Sequence, residues 1–179
     1  GRERRFQKKA TEIFVDKQPQ EEGFTLVSLD ESFIFYDSLV RRVFWIDEKK
    51  RPVVRITGSH KHSCLFGALS LEGKQLFRQY DKFTGDTFLD FLRIIHHKFP
   101  RCHVFMDKAV SPHHMSKRVR ECFDRHKDAL IPVYLPTASP EFMVMEEVWN
   151  IAKRDLLVLS YYPSFTDLKN KITSYFRTK

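Results

Sequence analysis

From Thr84 onward two hydrophobic periodicities alternate, and that alternation limits the possible folds more than any other feature of the chain. Phe88, Phe91, Leu92, Ile95 and Phe99 recur at helical spacing, which predicts a helix over 84–99 with Asp86 as its cap. CHVFM (Cys102–Met106) then reads as a strand ending at Asp107. Pro112–Arg125 is a basic amphipathic helix whose inner face holds Met115, Val119, Cys122 and Phe123. Ile131–Leu135 is a short strand, and a further helix opens within LPTASPEFMVMEEVWNIAKR (Leu135–Arg154). There Ser139 is a good N-cap acceptor and Pro140 suits the first helical position. Ser164–Phe176 closes the chain as a helix with Phe165, Leu168, Ile172 and Phe176 inward. Strands separated by helices in this way run parallel, through right-handed crossovers.

Upstream the pattern changes to strands alone. FTLVSL (Phe24–Leu29) reads as a buried strand that stops at Asp30; alternation puts Asp30 on the face of Leu26 and Ser28 and turns Glu31 the other way. An apolar run (Phe33–Tyr36) and two short strand candidates (Val43–Ile46 and Val53–Ile56) follow, the last two separated by the polar turn DEKKRP. SCLFGALSL and KQLFRQY flank Glu72-Gly73, a hairpin signal, so the early strands pair antiparallel. The sum is a mixed α/β sheet with helices packed on it. Residues 1–22 are charged and Gln-rich and read as a linker or short helix entering from an upstream region; 23–159 form the main domain, and 160–179 a helix packed on it.

A chain of 179 residues suffices for one core, and 42% hydrophobic content with 17 Phe excludes bulk disorder. A formal charge of +8 points to a polyanionic partner, most simply nucleic acid. Cys64, Cys102 and Cys122 make an odd set without metal-like spacing, which favours a reducing compartment. No apolar run approaches the ~18 residues of a membrane span.

Three acids occupy telling places. Asp30 and Asp107 end strands, and Glu146 lies on the edge of the stripe Phe142, Met145, Val148, Trp149 and Ala152. Its i+3 and i+4 neighbours are Trp149 and Asn150, so a helix-surface ion pair is not its purpose. If the strands of Asp30 and Asp107 are parallel neighbours, their ends lie ~5 Å apart. Carboxylates that close repel unless protonated or bridged by a metal, and carboxylates with water suit Mg²⁺ and Mn²⁺ in phosphoryl transfer. The bland reading is that each acid caps a turn. A zinc site from Cys102, His103, His113 and His114 is disfavoured, because alternation turns Cys102 and His103 to opposite faces.

Four stretches in order carry a family resemblance: LDES (Leu29–Ser32), FGALSLEGK (Phe66–Lys74), VFMDKA (Val104–Ala109) and LPTASPEFMVMEEVW (Leu135–Trp149). Over about 24–155 the chain resembles the catalytic domain of DDE transposases, specifically the bacterial and archaeal insertion-sequence branch of the mariner superfamily. The resemblance implies a ribonuclease H-like α/β fold, with a mixed five-stranded sheet flanked by helices. It implies that Asp30, Asp107 and Glu146 are the catalytic and metal-binding acids, holding two Mg²⁺ or Mn²⁺ ions. It also implies an enzyme that cuts transposon ends and joins them to target DNA. A separate upstream DNA-binding region, a homodimer in the full-length protein and a cytoplasmic, nucleoid-associated location in a prokaryote follow from the same likeness. The sequence departs from the family in places. Met143-Val144-Met145 precede Glu146 where Asn-Pro-Ile is usual, Lys108 stands where Asn is usual, and the family's histidine falls at His113 or His114.

Candidate DNA contacts are Lys108, His113, His114, Lys117, Arg118, Arg41, Arg42, Lys49, Lys50 and Arg51, with Arg55, Lys61 and Arg120 as further candidates for phosphates. Two other functions fit the residues: an inactive or repurposed DNA-binding module of the same fold, and a different ribonuclease H-like nuclease.

Overall fold

Eleven residues, Thr25–Phe35, form β1, the strand on which the rest of the sheet is assembled. The computed structural model describes residues 23–37, 53, 55–107, 114–135 and 144–177. β2 (His62–Ser70) pairs antiparallel with β1, and β3 (Gln75–Tyr80) antiparallel with β2. On the other side β4 (Cys102–Asp107) runs parallel to β1, and β5 (Leu130–Leu135) parallel to β4. The five strands lie in the order β3-β2-β1-β4-β5, a mixed sheet with helices on both faces.

The β2–β3 turn is the expected one, with Gly73 at φ +82°, a conformation glycine adopts without strain. β3 is a sheet edge and carries Gln75, Arg78 and Gln79, polar side chains that discourage further strand pairing.

Helix α1 (Gly85–Lys98) begins directly after its true cap, which is Thr84 rather than Asp86. The Thr84 hydroxyl accepts from Thr87 N at 3.1 Å while Thr87 Oγ1 accepts from Thr84 N at 2.9 Å, a reciprocal capping box. Asp86 lies in the first turn and pairs with Arg118. Helix α2 (Lys117–Arg125) starts at Ser116, so Met115 precedes it; Met115 is 51% exposed instead of inward, while Val119 and Phe123 are buried as expected. Helix α3 is described over Val144–Leu157, and the expected cap at Ser139-Pro140 lies outside the described residues. Helix α4 (Phe165–Arg177) is capped by Ser164, whose hydroxyl accepts from Asp167 N at 3.1 Å.

The faces of the sheet sort by strand alternation. Val27, Leu29, Phe66, Ala68, Val104 and Met106 pack under α1 and α2. Ile34 and Leu65 pack under α3 and α4 with Met145, Trp149, Leu156, Leu168 and Ile172. Each such fully buried side chain contributes about 1.5–3 kcal/mol, so the two layers hold the sheet from both sides.

Two strand expectations change. β1 does not stop at Asp30 but runs five residues further, because β2 keeps pairing with it as far as Phe35↔His62. Val53 and Ile56 are in no strand and stand 92% and 61% exposed; their β propensity finds no pairing partner among the described residues. Val43–Ile46 lies outside the described residues, and no described helix is long and apolar enough to cross a membrane.

Candidate active site

Asp30 sits in the middle of β1, its side chain on the face covered by α3. On one flank its cross-strand partner is Gly67 of β2. A Cβ on Gly67 would stand 2.5 Å from Met145 Cε and 2.7 Å from the Trp149 ring, so only glycine lets α3 descend this far. The vacated space is used: the Trp149 indole N–H donates to Asp30 Oδ2 at 3.1 Å.

On the other flank β4 runs parallel to β1 in the register Thr25↔Cys102 to Ser28↔Phe105, and Asp30 and Asp107 each lie two residues beyond the last pair. Both carboxylates face α3, since Leu26 of β1 and Phe105 of β4 share an apolar cluster on that face. Asp30 is half-buried and Asp107 exposed. Of the two acids on this face, Asp107 is the one open to solvent.

Glu146 lies in the first turn of α3, three residues before Trp149, and its charge reaches Asp30. It is exposed, not tucked into a buried edge as its place in the sequence suggests. Lys153, two turns after Glu146, is half-buried, and the Asp30 carboxylate favours its charge against the burial that lowers its pKa. Neither Lys153 nor Gly67 is singled out by the sequence pattern. The signal for Lys153 was its seven-residue spacing from Glu146, which keeps both on one side of α3.

Asp30 has the most disturbed acid in this group. Burial pushes its pKa up to about 7, the neighbouring charges of Glu31 and Glu146 add to the rise, and the Glu31 backbone and Trp149 indole partly oppose it. A carboxylate in that setting holds a proton for want of a cation. A divalent ion fits the same place, because the donors at hand are carboxylate oxygens on the accessible side of the pair. Among the described residues, no three His, Cys, Asp or Glu side chains already stand close enough together to hold a metal.

The proposed phosphate contacts separate from this site. His114 is 4% exposed, packs its ring 4.3 Å from that of Phe88, and bonds through Nε2 to Glu31 Oε1. It is thus buried under α1, on the face of β1 opposite Asp30. Lys117 and Arg118 are exposed on α2, also in the far layer, with Lys117 near Glu121 at 3.8 Å and Arg118 bound to Asp86. Lys108, His113, Arg41, Arg42, Lys49, Lys50 and Arg51 lie outside the described residues. Cys102 packs into the core while His103 turns to Phe24 on the other face, so they do not converge on a zinc ion.

A family model described as DDE superfamily endonuclease matches residues 25–169. Among solved structures, the Mos1 transposase paired-end complex with left transposon end superposes with a TM-score of 0.68 at 16% identity, covering 97% of this chain and 54% of that one. The Mos1 mariner paired end complex with Mn gives 0.64 at 17% identity, over 96% and 54%. The catalytic domain of Mos1 mariner transposase gives 0.58 at 15% identity, over 98% and 80%. The fold is thus ribonuclease H-like, and the chain spans about half the length of the transposase chains in the two complexes. No curated protein matches in sequence.

Proposed function

The chain belongs to the DDE superfamily of endonucleases, and from that premise we propose that it is the catalytic domain of a transposase that cuts transposon ends and joins them to target DNA. The observation that carries this reading is the occurrence of Asp30 and Asp107 on one face of adjacent parallel strands, under a helix whose Trp149 bonds Asp30 and whose Glu146 charge reaches it.

In this reading Asp30, Asp107 and Glu146 hold two Mg²⁺ or Mn²⁺ ions, which supply Lewis acidity and an activated oxygen nucleophile for in-line displacement at phosphorus. The protein's own groups prepare the site. The Trp149 N–H donates to Oδ2 of Asp30 and helps to fix the carboxylate that would hold a metal. Asp107 and Glu146, both exposed, complete the oxygen set from the solvent side. Lys153 lies near enough for the Asp30 carboxylate to favour its charge, and it would offer a cation to a phosphate bound at the acids. Joining two ends calls for two catalytic domains, so the full-length protein acts as a homodimer.

The test is Mn²⁺ binding by calorimetry, with and without duplex DNA, followed by nicking of supercoiled DNA. Binding and nicking in the wild type, both lost by at least about a hundredfold in Asp107→Asn, are expected. DNA affinity that falls steeply with salt but ignores both metal and Asp107→Asn would sink the catalytic reading and leave a DNA-binding module.

A further inference from the structure

Glu31 follows Asp30 directly, yet its side chain leaves the opposite face of the sheet and meets a buried histidine. His114 is 4% exposed and Glu31 18%, and Nε2 of the one lies against Oε1 of the other. The pair is walled by aromatic rings: Phe66 is the cross-strand partner of Glu31, and Phe88 stacks near both Phe66 (5.6 Å) and His114 (4.3 Å). Burying an acid and a base costs desolvation that their attraction barely returns, so such a pair adds little stability over apolar groups of the same shape. What it does supply is a fixed geometry between two segments.

The segments are informative. β4 ends at Asp107, whose side chain faces α3; by His114 the chain has come round to the layer of α1 and α2. His114 is therefore the point at which the chain leaving one acid is fastened to the residue next to the other. Two residues further on, Ser116 caps α2 and receives the N–H of Val119 at 3.4 Å, so the fastening is continued by a helix start.

We propose that Glu31 and His114 are positioning residues of the acid site: their bond holds the chain that leaves β4 against β1, next to Asp30, and so sets the spacing of the two carboxylates. The proposal rests on the metal reading above for its main readout, but not for its second. Mn²⁺ affinity is measured by calorimetry on the 179-residue chain for wild type, His114→Phe, Glu31→Leu and Glu31→Gln. Phe keeps the ring packing against Phe88 and removes the bond. Leu removes it from the other side, should His114→Phe fail to fold. Gln retains an acceptor for the His114 N–H. Loss of about tenfold or more in affinity is expected for Phe and Leu, with Gln close to wild type. Unchanged affinity in a variant whose melting temperature has dropped means a structural pair only, and overturns the proposal.

If the wild type takes up no Mn²⁺, the metal reading fails and the pair is judged on amide hydrogen exchange. Faster exchange confined to the β4 peptide (102–107) in His114→Phe, with α4 unchanged, supports the positioning role. Equal exchange there overturns it.

Discussion

A carboxylate held under an indole and beside two other acids keeps its proton far longer than one in water. For Asp30 burial pushes the pKa up to about 7, from the 3.8 of an ordinary aspartate. Between those values the folded protein binds more protons than the unfolded chain, so this group's contribution to stability is present at low pH and is lost as pH rises to about 7. Asp30→Asn removes the titration while leaving an acceptor for Trp149. The variant should match wild type near pH 4 and gain on it by about 1.4 kcal/mol per pH unit above that, to a ceiling of about 4 kcal/mol. Urea unfolding at pH 4.5 and pH 8, without divalent ions, reads the difference; parallel curves would show that Asp30 ionises normally. The same proton competes with a cation, so apparent Mn²⁺ affinity should climb as pH rises towards 7 and level off beyond it. At this scale the sequence placed Asp107 correctly at the end of a strand, whereas Asp30 lies in the middle of β1 and only its ordered motif set it apart. It was not readable for His114, because a histidine at a loop-helix junction looks the same whether it faces a phosphate or Glu31, 83 residues away.

At the scale of elements, Gly67 decides how closely α3 approaches the sheet. Gly67→Ala drives a Cβ to 2.7 Å from the Trp149 ring, which is wedged and cannot swing aside as the end of Met145 can. The expected cost is about 1–3 kcal/mol from overpacking. A weakened Asp30–Trp149 bond should accompany it, visible as a changed tryptophan emission and a shifted pH dependence of Mn²⁺ binding. A stable variant with unaltered emission would mean that α3 does not rest on Gly67. The helices and the hairpin were legible because their periodicity and turn residues act locally. β1 was cut short in the sequence reading because Asp30, Glu31 and Ser32 interrupt its apolar run. Each polar group is instead supported from a distant element: Trp149 for Asp30 and His114 for Glu31. Met115 was misplaced for a simpler reason, since a helical phase means nothing one residue before the cap at Ser116.

For the molecule as a whole, the sheet is a wall between two helical layers, and the described basic side chains are divided between them. The acids and Lys153 are on the α3 face, whereas Lys117 and Arg118 stand on α2 beyond the opposite face, each beside an acid of its own. A duplex lying across the acid pair cannot reach both sides of a sheet sandwiched by helices. Lys153→Ala should therefore weaken binding to duplex DNA and lower the magnitude of the log affinity versus log salt slope by about 0.9, the value for one lost phosphate contact. The double change Lys117→Ala, Arg118→Ala should shift that slope by less than one contact, although it removes twice the charge. Their side chains are 85% and 63% exposed, so removing them should leave the fold intact and the comparison clean. Fluorescence anisotropy over a range of NaCl concentrations distinguishes the two cases. If the α2 pair outweighs Lys153, the DNA path runs over the α1 and α2 layer, and the acid pair is not where the backbone is held.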